Sequence, residues 1–209
     1  TTDIFAVDGS DITKITQAGV VTRFETVTQA DAITIDGSDN LYTGTVDVVN
    51  CPGPIISCIA ITDQTAVTTY LGEAGNSTLI RKITLDSLGN IYTLDQGGKI
   101  EKTTSGGVLT SIETINSTYS IAVDASSNLY YQDSPNLVIK KRTSAGATTT
   151  IVNNSALNNA YGLVFNSTSN SVYTNNGAGK YTYFGLTVPL PFTKYLTVNT
   201  TGDVSLIDG

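Results

Sequence analysis

Three aspartates stand at equivalent points of a repeated pattern and are the first candidates for chemistry. Asp36, Asp86 and Asp124 each end a short apolar stretch. Carboxylates serve as general acids and bases, and they bind calcium. An Asp side chain at such a position accepts a hydrogen bond from the backbone two residues further on. We therefore expect each aspartate to cap its own turn, with calcium as the lesser alternative.

Chemistry that depends on histidine is excluded, because the chain contains none. This removes the serine triad, the Cys–His dyad and histidine-ligated zinc or iron. No Gly-rich phosphate loop follows a strand, so no nucleotide cofactor is expected. No carboxylate pair stands out from the turn aspartates. We assign no catalytic residue and no cofactor, and a carboxylate-based hydrolase or lyase is the least favoured function.

Two cysteines, Cys51 and Cys58, lie in the longest insertion, between the strands of the first full copy. Two cysteines in a chain whose composition is typical of secreted proteins usually form a disulfide, and their spacing is not that of a zinc site. The sequence predicts a disulfide that closes a small loop. The alternative is a pair of buried thiols in a reducing compartment.

The elements that position these residues come from an internal repeat, with copies starting near residues 33, 83, 121, 163 and 196. Each copy alternates apolar and small residues, reaches Asp or Asn, turns, and enters a second strand. The best copies add two more strands around a turn with Gly107 or Gly146. Four antiparallel strands in roughly 40–50 residues is typical of a β-propeller blade. We predict an all-β fold and one domain over residues 1–209.

The two ends of the chain carry incomplete copies. Residues 3–8 match the second strand of the repeat, residues 196–198 match a first strand, and residues 204–208 match another second strand. This predicts about five blades, with the terminal strands sharing one. One strand is then surplus: it forms an extra edge, pairs with another subunit in a homo-oligomer, or marks a slice of a longer protein. The chain begins with neither Met nor a signal peptide and looks processed, trimmed or partial.

The repeat resembles the NHL-type repeat of β-propellers. Residues 90–95 with 99–102 match best, and residues 128–133 match nearly as well. The first copy departs at Gly44-Thr45, and the fourth departs at residues 174–176. The resemblance covers most of the chain and implies a propeller, not an activity. It includes a lyase branch that uses His-bound metal, which this chain cannot supply.

Aromatic residues give the binding candidates. Tyr181, Tyr183, Phe192 and Tyr195 could form a docking or sugar-stacking surface, although alternation favours a core strand followed by a Pro-capped loop. A lectin-like alternative uses tyrosines that recur at one position of the repeat, where core residues also recur: Tyr42, Tyr92, Tyr130 and Tyr173. Five sequons are candidate glycan sites, although a chain rich in Asn, Ser and Thr forms them by chance: Asn76, Asn116, Asn153, Asn166 and Asn199.

Charge and composition restrict the classes of partner that this chain is expected to bind. The net charge of −7 lacks the basic excess that nucleic acid requires, and the one basic cluster, residues 140–142, is interpreted as a solvated strand face. No apolar run approaches the ~20 residues that span a bilayer. Low charge with many hydroxyl and amide side chains favours an extracellular, cell-surface or virion-surface location. We predict a non-catalytic propeller that binds protein subunits or surface glycans in adhesion or assembly.

Overall fold

The computed structural model describes residues 3–7, 9–45, 58–63, 65, 67–73, 79–116, 118–153, 162–166, 171–176, 180–183, 186–189, 193–198 and 204–208. Its strands are β1 (Ile4–Val7), β2 (Gly9–Ile15), β3 (Val21–Ile35), β4 (Leu41–Thr45), β5 (Cys58–Thr62), β6 (Thr68–Glu73), β7 (Ile80–Leu85), β8 (Ile91–Asp95), β9 (Lys99–Thr103), β10 (Leu109–Thr114), β11 (Ile121–Val123), β12 (Leu129–Asp133), β13 (Val138–Arg142), β14 (Thr148–Asn153), β15 (Leu163–Asn166), β16 (Ser171–Asn176), β17 (Lys180–Tyr183), β18 (Leu186–Pro189), β19 (Thr193–Val198) and β20 (Val204–Asp208). One 3-10 turn, Ser134–Asn136, joins β12 to β13.

The strands form antiparallel sheets in chain order, which confirms the all-β prediction and the four-stranded blade. Three sheets have four strands each: β7 to β10, β11 to β14, and β15 to β18. A six-stranded sheet runs from β1 to β6, and β19 pairs with β20. Strands that are neighbours in sequence are thus neighbours in each sheet.

The first sheet is larger than a blade because β3 is longer than predicted. The sequence predicts two strands, at residues 20–24 and 33–35, in different blades. The structure joins them: β3 pairs with β2 from Val21 to Ala30 and with β4 from Ala30 to Ile35. Both pairings have a register shift next to Ala30, where the partner changes, and the pairing with β2 has another between Ile12 and Thr13. Residues 21–35 contain no Gly or Pro, so no residue there breaks the strand.

The chain divides into two compact units, Thr1–Leu85 with Gly89–Glu113, and Asp86–Leu88 with Thr114–Gly209. Among its described residues, the first unit holds two apolar clusters. One packs β2 with β3 and β4 around Ile12, Ala30 and Leu41, and the rings of Phe5 and Phe24 meet edge to face beside it. The other joins β3 and β5 to the sheet of β7 and β8, and its buried members are Ala32, Ile59, Ile80, Ile83 and Ile91.

The second unit has one such cluster among its described residues. Ala122, Tyr130 and Ile139 of one sheet pack against Leu163 and Val172 of the next. Burial of these faces is the main source of stability, at roughly 25 cal/mol per Å² of apolar surface. Within each unit, one sheet is therefore stabilised by packing against the sheet that follows it.

The terminal segments are strands, as predicted: β1 at residues 4–7 and β20 at residues 204–208. Closure of a ring and pairing between subunits stay predictions. The described part of the chain contains no helix long and apolar enough to cross a membrane.

Candidate functional site

The turns between the first and second strands of each copy are organised by their aspartates. At Asp36, Oδ1 accepts the backbone N–H groups of Ser38 at 2.8 Å and Asn40 at 2.9 Å. Oδ2 accepts the Asn40 side-chain amide at 2.8 Å and the Tyr42 hydroxyl at 3.1 Å. Burial, with the charge of Asp36 and this hydrogen bond, raises the pKa of Tyr42 to about 12. The hydroxyl therefore stays protonated and keeps donating.

Asp124 repeats this arrangement two copies later. Its Oδ1 accepts the N–H groups of Ser126 and Asn128, and its Oδ2 accepts the Asn128 side chain and the Tyr130 hydroxyl, at 2.8–3.0 Å. Asp86 accepts the Leu88 N–H at 2.9 Å. The prediction that each aspartate caps its own turn is confirmed. No group of three metal-ligating side chains converges within the described ranges, and calcium binding stays a prediction.

Acid should destabilise the protein through these turns. Burial raises the pKa of Asp36 and Asp124, but hydrogen bonds outweigh it, and the pKa of each lies below the usual value. A carboxyl whose pKa is lowered by folding stabilises the fold above its unfolded pKa of about 4, and this contribution is lost as pH falls through the folded value. We expect the urea midpoint to be constant between pH 7 and 5 and to drop below pH 4.

The variant Asp124→Asn provides the control for that titration. It keeps an acceptor oxygen but has no ionisable group, so its midpoint should fall less steeply with acid than that of the wild type. Equal slopes for both proteins would contradict the assignment of acid lability to this turn.

Two of the four recurring tyrosines have covered rings and are not open sugar-stacking platforms. Tyr92 and Tyr130 are buried, and the ammonium groups of Lys102 and Lys141 lie 5.3 and 5.4 Å from the centres of their rings. Tyr130 also stacks on Phe165 at 5.8 Å. The lysines lie directly opposite the tyrosines on the next strand, so cross-strand pairing covers the ring faces.

The basic cluster at residues 140–142 is likewise engaged within its own sheet. Lys140 forms an ion pair with Asp133 at 2.7 Å, and Lys141 lies 4.0 Å from Asp124. The guanidinium of Arg142 lies 3.4 Å from the Thr148 hydroxyl. These side chains are only half-buried, but they complement neighbouring groups and do not form an open basic patch.

A second set of turns, between the third and fourth strands, presents apolar side chains. A threonine or aspartate oxygen accepts the backbone N–H of the residue four positions on: Thr16 to Val20 at 3.2 Å, Asp63 to Val67 at 3.0 Å, Thr104 to Val108 at 3.0 Å, and Thr143 to Ala147 at 3.1 Å. Gly19, Gly107 and Gly146 adopt positive φ of 77–94° in three of them. The last residue of each turn is thus held in place while its side chain points to solvent.

Seven large apolar side chains are exposed among the described residues, each between 40% and 72% accessible: Ile4, Val20, Val21, Ile35, Val67, Leu88 and Val108. Three of them, Val20, Val67 and Val108, end turns of this second set. The pairings Leu41 with Thr62 and Thr62 with Thr68 place Ile35 and Val67 at the same end of one sheet. Because propeller blades repeat one orientation around an axis, equivalent ends lie on one face. We call Val20, Val67 and Val108, all in the first unit and all at the equivalent turn position, the apolar turn rim.

Sequence analysis missed this surface, because it assigned Val20 and Val108 to strands and gave Val67 no role. The available signal was the recurrence of Thr-x-x-Gly followed by Val or Ala. It also missed Lys82 on β7, where burial lowers the pKa of the ammonium. Lys82 forms no ion pair with the described residues, and no sequence pattern marks it.

The remaining candidates are placed as follows. Tyr181 and Tyr183 lie on β17 and Tyr195 lies on β19, while Phe192 is outside the described residues. Cys58 begins β5 and is buried, and Cys51 is outside the described residues, so the disulfide stays a prediction. Asn116 is exposed in a turn and Asn153 ends β14, whereas Asn166 is buried. Asn76 and Asn199 are outside the described residues, and glycosylation stays a prediction.

Comparison with known proteins supports the same fold. A model of the SBBP β-propeller repeat matches residues 68–94, which span β6 to β8. No curated protein matches the sequence significantly. The chain is thus a β-propeller repeat protein.

Several solved structures share this fold at low sequence identity. Virginiamycin B lyase from Staphylococcus aureus aligns with a TM-score of 0.68 and 14% identity, over 98% of this chain and 66% of the lyase. A chain of the nidogen/laminin complex aligns with a TM-score of 0.77 and 15% identity, over 99% of this chain and 84% of that one. A gluconolactonase from Xanthomonas campestris aligns with a TM-score of 0.76 and 11% identity, over 99% of this chain and 79% of the gluconolactonase. The chain spans just under two thirds of the lyase, and the likeness concerns the fold alone.

Proposed function

We propose that this chain is a non-catalytic, extracellular or particle-surface propeller that binds another protein through the apolar turn rim, in adhesion or assembly. The observation that carries the proposal is the recurrence of one exposed valine at the same turn position in three successive copies. Single exposed apolar residues are ordinary, whereas an exposed valine repeated at the same turn of successive copies is a regular pattern, and grouped exposed apolar residues mark interaction sites. One similar structure belongs to a complex of two proteins, nidogen and laminin.

The rim is also rigid, which favours binding. The amide of each of Val20, Val67 and Val108 is fixed by a side-chain oxygen, and a β-branched side chain has few rotamers. A partner that covers these valines gains apolar burial without ordering a loop, and preorganised contacts of this kind contribute most to affinity. Glycan binding by the recurring tyrosines has no such support, because the rings of Tyr92 and Tyr130 are covered.

A carboxylate-based hydrolase or lyase is the second candidate. The similar structures include a lyase and a gluconolactonase, and propellers of this shape therefore accommodate enzymes. In the described residues, however, the aspartates in the turns between first and second strands already accept hydrogen bonds from their own turns, as at Asp36 and Asp124.

Site-specific photo-crosslinking tests the interaction. A photo-reactive phenylalanine analogue at Val67 or Val108 should give one discrete adduct with a protein from the cells or medium in which this protein occurs. The same analogue at Ser111, an exposed position on β10 away from the turn, should give none. Mass spectrometry identifies the adduct, and excess unmodified protein should compete it away. Identical adducts at all three positions, or none at the rim, would contradict the proposal.

A further inference from the structure

We propose that β1 forms a shared blade with a second copy of this chain, by pairing with strand β19 of that copy. This contact uses a sheet edge and is independent of the apolar turn rim. It is suggested by the neighbours of β1. The second strands of the other copies, β4, β8, β12 and β16, each have a hydrogen-bonded strand on both sides, whereas β1 has only β2 among the described strands.

The hairpin of β1 and β2 has the geometry of the second and third strands of a blade. Phe5 lies opposite Lys14, whose ammonium group is 5.7 Å from the centre of the Phe5 ring. In the second copy, Tyr92 lies opposite Lys102, and the same contact measures 5.3 Å. Phe5 therefore occupies the position of Tyr92, as the sequence repeat predicts, and β1 is a second strand that lacks a first strand beside it.

The exposure of Ile4 is independent evidence that a covering strand is absent from the single chain. The equivalent residues of three other second strands are buried: Leu41 and Ile91 are 1% exposed, and Leu129 is 2% exposed. Ile4 is 60% exposed. Part of the cover of Ile91 comes from the first strand of its own sheet, where Leu85 lies opposite it. No described strand provides this cover for Ile4.

Strand β19 has the sequence of the first strand that β1 lacks. Its Leu196-Thr197-Val198-Asn199 repeats the pattern of Ile83-Thr84-Leu85-Asp86. In the single chain β19 pairs only with β20, in a two-stranded sheet, and two strands alone are marginally stable. Pairing with β1 instead would give a four-stranded sheet in the order β19, β1, β2 and β3, which is the strand order of the three complete blades.

The register of the shared blade follows from the complete ones. In the second copy, Leu85 of the first strand lies opposite Ile91 of the second, and the equivalent contact places Val198 opposite Ile4. In the single chain Val198 lies opposite Val204 of β20, so β1 takes the place of β20 on β19. One ladder of backbone hydrogen bonds replaces another, and the net gain comes from burial of the exposed Ile4 side chain.

A second copy supplies the strand, because β1 and β19 of one chain belong to separate sheets. The open edge of a sheet is a template for strand addition by another chain. Each copy offers one β1 and one β19, so the contact is head-to-tail and adds further copies as a ring or a chain.

Photo-crosslinking in a mixture of two isotopic forms tests the pairing. Full chains that carry a photo-reactive phenylalanine analogue at position 4 are mixed with an equal amount of wild-type chains labelled with heavy nitrogen. Mass spectrometry should find adducts between residue 4 and residues 193–198 of the labelled chains. Adducts confined to unlabelled chains would mean that β1 pairs within its own chain and would overturn the proposal, as would adducts that lie outside β19.

The variant Ile4→Lys tests the same contact by light scattering. Ile4 is exposed in the single chain, so lysine should leave the fold intact, but its charge opposes burial in a shared blade. The wild-type mass should rise with concentration, and the variant should need an at least about tenfold higher concentration to reach the same mass. The control Leu88→Lys, at a turn residue that is 72% exposed, should associate like the wild type. A monomeric wild type, or equal association of the two variants, contradicts the proposal and leaves the rim untouched.

Discussion

Replacing Gly44 with alanine should lower the free energy of unfolding by about 3 kcal/mol, which is at the upper end of typical overpacking effects. A Cβ at this position would lie 2.6 Å from Cβ and 2.7 Å from Cγ2 of Ile80. Ile80 is buried on β7, in the cluster that joins two sheets of the first unit. Its Cβ is bound to the backbone and cannot rotate away, so β7 itself has to shift.

The matched control for this variant is Gly37→Ala. A Cβ at Gly37 meets no atom within 4 Å, and its φ does not lie in the left-handed region. Urea unfolding, monitored by circular dichroism, should show a large decrease in the free energy of unfolding for the residue 44 variant. For the residue 37 variant, the free energy of unfolding should change by no more than about 0.5 kcal/mol. Equal midpoints for the two variants would show that the sheets are not packed this closely.

The substitution Asp124→Ala should have the second-largest effect, a loss of about 3 kcal/mol in the free energy of unfolding. Four hydrogen bonds to the carboxylate disappear together. The buried Tyr130 hydroxyl and the Asn128 amide lose an acceptor that water reaches poorly. Donors left unsatisfied in a buried site cost more than the net energy of the hydrogen bond. Because the Tyr130 ring packs on Phe165, the substitution also disturbs packing in the apolar cluster.

Asp63→Ala is the appropriate comparison, since Asp63 accepts the same kinds of turn hydrogen bonds at the surface. Water replaces the lost acceptor there, so we expect a cost of about 1 kcal/mol. Thermal and urea unfolding of both variants give the difference directly. A residue 63 variant as unstable as the residue 124 variant would mean that the turn alone, and not its burial, determines the cost.

The sequence predicted the strands and turns well because both depend on local interactions. Alternation at period two defined the strands around residues 83–85 and 121–123, and Asp36 and Asp124 cap their turns as expected from Asx chemistry. The blade followed from four such strands in each copy. The departure at Gly44-Thr45 was also visible, but its cause was not.

Only the tertiary structure revealed that cause, because the contact between Gly44 and Ile80 joins residues far apart in the chain. The same holds for the tyrosines, whose recurrence was compatible with open platforms or with covered rings until the lysines of the next strand were placed. The long β3 is a further case, since its two halves pair with different strands.

By itself, the sequence determined the all-β class, the repeat and the turn aspartates, since each is encoded within a few neighbouring residues. The tertiary structure decided which apolar residues are buried and which are exposed. Val108 and Ile100 are both of β-branched, strand-forming residue types, and Val108 directly precedes β10 while Ile100 lies on β9, yet one is exposed and the other fully buried. Burial depends on what packs against a side chain, and the residues that do so belong to other strands and other blades.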